Sequence, residues 1–389
     1  MSRCLVANLL VAAMCITTCA VAADSSSLAL TLPPVVNVVV GHEQEIFFRN
    51  LVLTDTPEQY RFVCACDIGN QTPTAWQVNP TSTQVGDHTL QVTVQDSTGK
   101  ALDHQQTTVH VVPADAGHDR SLRLLIVGDS LTHATWYPNR VATLLNEPGN
   151  PHWTMLGTNS PTTSISGGAV ALPGVRFEGY GGWSWTRFLT WYDSSPAGTD
   201  RTGPHWWVKI SSPFVFPDQQ GHPQLDVPRY FREHCDGQPP DLVVFLLGAN
   251  DTFHSSSGTR AQIDAKMDQM FTNADRLLVA FRAAAPHARF GIGLIVPCNV
   301  NESAFTKNYK GSVTRAQWQP VRHLLAQREI QHFGSLPDPA ISLIPTELGL
   351  DPVNGFPPDN ALHPNPLGYD QLAGTIYAWV KAQMAIPSE

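Results

Sequence analysis

Three apolar runs constrain this chain more than any other feature. Leu122 to Val127, broken only by Arg123, ends in Gly128. Leu242 to Leu247 ends in Gly248, and Phe290 to Val296 ends in Pro297. A strand with one wet face alternates polar and apolar residues. A strand apolar at nearly every position needs cover on both faces, as in a parallel sheet flanked by helices. Ile341 to Ile344 is a fourth candidate. Between the runs, Ile263, Met267, Met270, Phe271, Ala274, Leu277, Leu278 and Phe281 recur at helical spacing. The Met and Phe side chains there read as core, not as a cofactor box. Arg315 to Ile330 and Leu367 to Met384 also read as helices. Strands alternating with helices predict a doubly wound α/β domain over residues 120–386.

The segment before it follows a different rule. Val35 to Val40, Gln59 to Cys66, His88 to Gln95 and Gln106 to Val112 are rich in Val, Thr and aromatics. Turn signals at Asp67-Ile68-Gly69-Asn70 and Asp96-Ser97-Thr98-Gly99 separate them. Residues 24–115 are therefore expected to form a small all-β, immunoglobulin-like sandwich. It carries no catalytic cluster, so a spacer or docking role is favoured over carbohydrate binding. Pro113 to Asp119 reads as the linker.

The N-terminus reads as an address. Arg3 precedes a mostly apolar stretch from Leu5 to Cys19, and Ala20-Val21-Ala22 puts small residues where a signal peptidase reads. Residues 1–22 are expected to be a cleaved signal peptide, giving a secreted or periplasmic protein with no transmembrane segment afterwards. Cys64, Cys66, Cys235 and Cys298 then remain. They allow three full pairings, and buried free thiols or one bridge are favoured over a zinc site. The chain has 24 basic and 33 acidic residues, a formal net charge of -9. With no dense basic run, nucleic acid is not an expected partner.

The residues suited to chemistry sit at the ends of the apolar runs, where an open parallel sheet binds ligands. Gly128-Asp129-Ser130-Leu131 follows the first run and Gly248-Ala249-Asn250-Asp251 the second. Gly181-Gly182-Trp183-Ser184 lies between them, and Asp359-Asn360-Ala361-Leu362-His363-Pro364 lies near the C-terminus. A serine hydroxyl becomes a nucleophile only when a base removes its proton, and histidine titrates in the right range. Attack on an ester makes an oxyanion, which needs donors already aimed at it. Ser130, Gly182, Asn250 and His363 together contain the parts of an acyl-transfer site. Gly128-x-Ser130-x-Thr132 lacks the second glycine of the α/β-hydrolase elbow.

On these four blocks the chain resembles the SGNH hydrolases, the GDSL esterase/lipase family, over about residues 120–385. The resemblance implies a flavodoxin-like α/β/α sandwich with no cofactor and no metal. It implies Ser130 as nucleophile and first oxyanion donor, the Gly182 N–H and the Asn250 amide as further donors, and His363 as base. The family usually carries its acid three residues before the histidine, where this chain has Asn360; Asp359 lies one residue further back. Asp359 is the favoured partner of the imidazole if the loop bulges by one residue. Asn360, a backbone carbonyl or a water is the alternative.

The expected substrate is a small-molecule or polysaccharide ester. Trp183, Trp185, Trp191, Trp206 and Trp207 crowd the second block, and Trp136 follows the nucleophile. Aromatic faces of this kind pack on sugar rings or anchor cores with equal ease. Exported relatives of the resembled family often deacetylate polysaccharides, so a carbohydrate O-acetylesterase is the leading expectation. A lipase or lysophospholipase and a non-catalytic glycan-binding surface protein are the alternatives. Sequons stand at Asn70, Asn250 and Asn301. The sequence carries no signal for oligomeric state.

Overall fold

The strand Ser121–Gly128 is the hinge of the architecture. The computed structural model describes residues 28–164 and 167–387. The expected signal peptide at 1–22 lies outside the described residues. Ser121–Gly128 pairs in parallel with His152–Leu156 and Glu178–Gly179 along one edge, and with Leu242–Leu246 along the other. Arg289–Gly293 and Ile341–Ile344 continue the sheet, again in parallel.

Both faces of this sheet are dry. Leu125 and Val127 join one core cluster, while Leu122, Leu124 and Ile126 join the other. Val243 and Phe245 likewise face one way, and Leu242, Val244 and Leu246 the other. The helices Arg260–Ala284 and Arg315–Gly334 cover the first face. Trp136–Leu145 and Pro366–Ala385 cover the second. The run of apolar residues is the sequence trace of this double burial. Arg123 is accommodated because its guanidinium reaches the rim, donating to the carbonyls of Cys235 and Gln238.

The β-rich region lies where it was expected. One sheet orders its strands as Val35–Val39, Ala101–Val112, Gly86–Gln95 and Arg61–Ala65. A smaller one contains Gln44–Phe47, Ala75–Val78 and Asn70–Gln71. They share a core that includes Val38, Phe62, Trp76, Val92 and Val109. This region is not a free appendage. Leu348 of the α/β part is buried in its core, and the Phe47 N–H donates to the Leu348 carbonyl at 3.0 Å. Asn50, 1% exposed, donates to the carbonyls of Glu347 and Leu350 at 2.8 and 2.9 Å. These carbonyls belong to the loop after the last strand, which would otherwise carry unpaired polar groups. Directly beneath, Arg322 and Glu347 form a fully buried pair at 2.6 Å.

Among the described residues Cys64, Cys66, Cys235 and Cys298 are free thiols. Among the described residues no helix is long and apolar enough to cross a membrane.

Candidate active site

Three of the four candidate blocks start from neighbouring strand ends. Gly128 is in register with Gly179 on one side and Leu246 on the other. Adjacent strands lie about 4.8 Å apart, so the loops carrying Ser130, Gly182 and Asn250 leave the sheet side by side. The chain first turns to one edge after Ser121–Gly128 and later returns to the opposite side at Leu242–Leu246. That reversal opens a crevice at the carboxyl ends of the strands.

Local sequence fixes the position of Ser130. Asp129 caps the short helix Ser130–His133, its Oδ1 accepting from the Leu131 N–H at 2.9 Å. Ser130 is the first helical residue, so its own N–H has no acceptor within the helix. A Cβ at Gly128 would lie 1.9 Å from Thr132 Oγ1, so no larger residue fits there. Gly182 has φ of +80°, a left-handed turn suited to glycine. Gly182 is exposed and precedes Trp183, whose carbonyl accepts from Asn250 Nδ2 at 2.9 Å. The second N–H of that amide meets Asp129 Oδ2 at 3.2 Å. The bond to Asp129 is the longer of the two that this amide makes.

Burial raises the pKa of Asp129 to about 7. Asp251 is also buried, and its carboxylate accepts from the Trp185 and Thr186 N–H groups, tying the third block to the second. Desolvation raises its pKa to about 6.

His363 comes from the opposite wall. Its Nε2 lies 2.9 Å from Ser130 Oγ. Its Nδ1 lies 3.3 Å from Asn360 Oδ1. The same Oδ1 accepts from the backbone N–H groups of Leu362 and His363, at 3.2 and 3.0 Å. Those two groups donate only, so the atom facing them is the amide oxygen. An oxygen facing Nδ1 in turn requires Nδ1 to carry the proton. This leaves the lone pair on Nε2, toward the serine hydroxyl. Burial holds the imidazole pKa below 6.5.

The favoured partner, Asp359, is not beside the histidine. Its carboxylate points outward to Lys307 Nζ at 2.9 Å, and Lys307 lowers its pKa. The one-residue bulge that would turn Asp359 inward does not form, because side-chain amides pin the loop. Asn299 Nδ2 donates to the carbonyls of Pro357 and Asn360, both at 2.9 Å. Asn308 accepts from the Ala361 N–H at 2.7 Å and donates to the Asp359 carbonyl at 3.1 Å. Neither residue was singled out by sequence, since each lies about fifty residues or more upstream and reads as an ordinary loop or helix Asn.

Beside Ser130 and Asn250 is a cavity of about 40 Å³, floored by Ile295, Val296, Pro297, Trp318 and Leu362. Of the tryptophans, Trp183 and Trp185 are core residues, whereas Trp136 and Trp191 are exposed. Trp206 and Trp207 flank His133, with ring centroids 6.2 and 4.6 Å from its own. The Gly181 N–H donates to His133 Nδ1 at 3.0 Å. Burial pushes the pKa of His133 down to about 4, so this ring is a neutral prop behind the oxyanion loop. Among the described residues no group of three or more His, Cys, Asp or Glu side chains is placed to hold a metal ion.

Residues 182–371 match the GDSL-like Lipase/Acylhydrolase family. The match begins at Gly182 and leaves out Ser130, which the fold returns to its histidine. No curated protein matches the chain. Among solved structures, a carbohydrate esterase family 3 protein from Talaromyces cellulolyticus is 15% identical. It aligns over 68% of this chain and 98% of its own, with a TM-score of 0.41. A family 3 carbohydrate esterase from Clostridium thermocellum, also 15% identical, aligns over 66% and 94% with a TM-score of 0.38. A carbohydrate esterase family 2 enzyme plus carbohydrate binding domain from Corynascus thermopiles (Myceliophthora fergusii) is 15% identical. It aligns over 89% and 92% with a TM-score of 0.33.

Proposed function

We propose that this protein, whose residues 182–371 match the GDSL-like Lipase/Acylhydrolase family, is an exported serine esterase that removes acetyl groups from carbohydrate. The contact between Ser130 Oγ and His363 Nε2, at 2.9 Å, carries the reading. It puts nucleophile and base within hydrogen-bond reach, with the base held in the required tautomer.

In the first step Ser130 Oγ bonds to the ester carbonyl carbon while its proton passes to His363 Nε2. The oxyanion accepts from the Ser130 and Gly182 N–H groups and from Asn250. The carbon–oxygen bond to the sugar then breaks, and the imidazolium returns its proton to the departing hydroxyl. Water attacks the acetyl-serine with His363 again as base, releasing acetate and restoring Ser130. Asn360 holds Nδ1–H in place. Being neutral, it stabilises the imidazolium less than a carboxylate does.

The small cavity supports acetyl over longer acyl groups. About 40 Å³ is room for a methyl-sized group, far below the 300–1,000 Å³ of pockets that hold drug-sized ligands. Export follows from the signal pattern at 1–22. The β-rich region, with its two sheets and shared core, acts in this reading as a docked immunoglobulin-like buttress of residues 24–115.

The test is acyl release from acetylated xylan, mannan and pectin, and from simple acetyl and long-chain esters, with wild type and Ser130→Ala. Acetate release in wild type alone is expected. Faster turnover of long chains than of acetyl would make the protein a lipase instead. Equal release in Ser130→Ala would remove the mechanism.

A further inference from the structure

A second cavity, of about 330 Å³, is lined by His133, which accepts from the Gly181 N–H, and shares none of the residues around the first. His133, Thr158, Ser160, Thr163, Arg201 and Trp206 form its walls. Its volume is within the range of small-ligand pockets, and the mechanism above uses none of its polar groups.

Its chemistry centres on Arg201. The guanidinium meets hydroxyls: Nη1 donates to Tyr180 Oη at 3.1 Å, and Nη2 to Thr158 Oγ1 at 2.8 Å. It lies 5.2 Å from the centroid of Trp206 and 5.6 Å from that of Tyr180. The nearby acid, Glu178, is fully buried and already accepts from the Thr158 N–H and from the hydroxyls of Thr158, Tyr180 and Tyr230. Glu178 makes no hydrogen bond to Arg201 and acts on it through charge, with Tyr180 and Thr158 between them. A guanidinium has five N–H donors in a planar fork, and protein acceptors take two of them here.

The rest of the cavity complements that charge. His133 is neutral because burial lowers its pKa to about 4, so among the described residues Arg201 is the sole cation of the wall. Trp206 offers a half-buried ring and Thr163 a hydroxyl, whereas Thr158 and Ser160 donate theirs to Glu178 and to the Val175 carbonyl. A charged fork and an aromatic face, with a hydroxyl beside them, form a recognition set for a sugar ring bearing a carboxylate. In a chain of net charge -9, such a cavity would select an anion against the overall field.

We infer that the cavity lined by Arg201 and Trp206 is the subsite for a uronosyl unit on the alcohol side of the ester, so that acetylated acidic polysaccharides are the substrate class. This rests on the esterase reading. It adds to that reading a charge preference that catalysis by Ser130 and His363 does not require.

The test compares acetylated oligogalacturonides with their methyl-esterified forms, acetylated xylo-oligosaccharides and 4-nitrophenyl acetate. The methyl esters keep the ring and remove the charge. In wild type, kcat/KM for the acidic ester exceeds that for its methyl-esterified form by roughly tenfold or more, as expected for one charge-assisted contact. The difference appears in KM and shrinks as salt rises. Arg201→Met collapses the acidic-to-neutral ratio toward one, and Arg201→Lys restores part of it. A variant that merely loosens the fold lowers both substrates together and leaves the ratio intact. Equal wild-type kcat/KM for charged and methyl-esterified substrates overturns the subsite alone, as does an unchanged ratio in Arg201→Met. A preference for sulfated over uronic sugars assigns the cavity to another anion and also overturns it. A wild-type protein that releases acetate from no ester overturns the esterase reading and the subsite together.

Discussion

The two walls of the crevice are built by different means. On the nucleophile wall, strand ends and glycines do the positioning. Gly128, Gly179 and Leu246 are level with one another, and Ser130 follows at the start of a helix capped by Asp129. On the histidine wall, residues 357–363 have no regular structure. Side-chain amides from Asn299, Asn308 and Asn360 hold that loop. The first wall is stiff because backbone sterics define it. The second depends on a few hydrogen bonds, so single side-chain changes should move its chemistry by degrees.

That difference yields a ranked set of expected effects. Ser130→Ala removes the nucleophile and should lower kcat by about 10⁴-fold or more, measured by acetate release. Asn360→Ala removes the acceptor that fixes the imidazole tautomer, and kcat should fall by roughly 10²-fold with little change in KM. Asn299→Ala removes the side-chain donor shared by the half-buried Pro357 and Asn360 carbonyls. It should lower stability by about 1–3 kcal/mol in thermal unfolding and kcat by about tenfold. Asp359→Ala should change kcat less than about threefold, since the exposed carboxylate meets only Lys307. A larger loss in Asp359→Ala than in Asn360→Ala would break the comparison.

The pH profile sharpens it. His363 must be neutral to accept the serine proton, so activity falls as pH drops through its pKa. Burial lowers that pKa, and the acid limb of kcat/KM should therefore have its midpoint below 6.5. Asn360→Asp places a carboxylate at Nδ1, which favours the imidazolium. The acid limb should then move to higher pH.

How far the sequence could be read follows the same line. Continuous apolar runs encode strands covered on both faces, and the glycines after them encode close approach of backbones. Ser130, Gly182, Asn250 and His363 were all legible as candidates because each sits in a short local pattern. The partner of His363 was not. Asp359 is the better acid, but its direction is decided by Lys307, and the loop is pinned by Asn299 and Asn308, which are distant in sequence. No pattern within the Asp359–His363 segment encodes those contacts. The role of the β-rich region was partly visible. Its strands were legible, whereas the burial of Asn50 against the loop at Glu347 to Leu350 depends on tertiary packing.

The most direct test of the central claim is to treat the native protein with a fluorophosphonate and map the modified peptide by mass spectrometry. The account predicts one adduct on Ser130, formed slowly in His363→Ala and absent in Ser130→Ala. A folded wild-type protein that stays unlabelled, or one labelled at another serine, would contradict it.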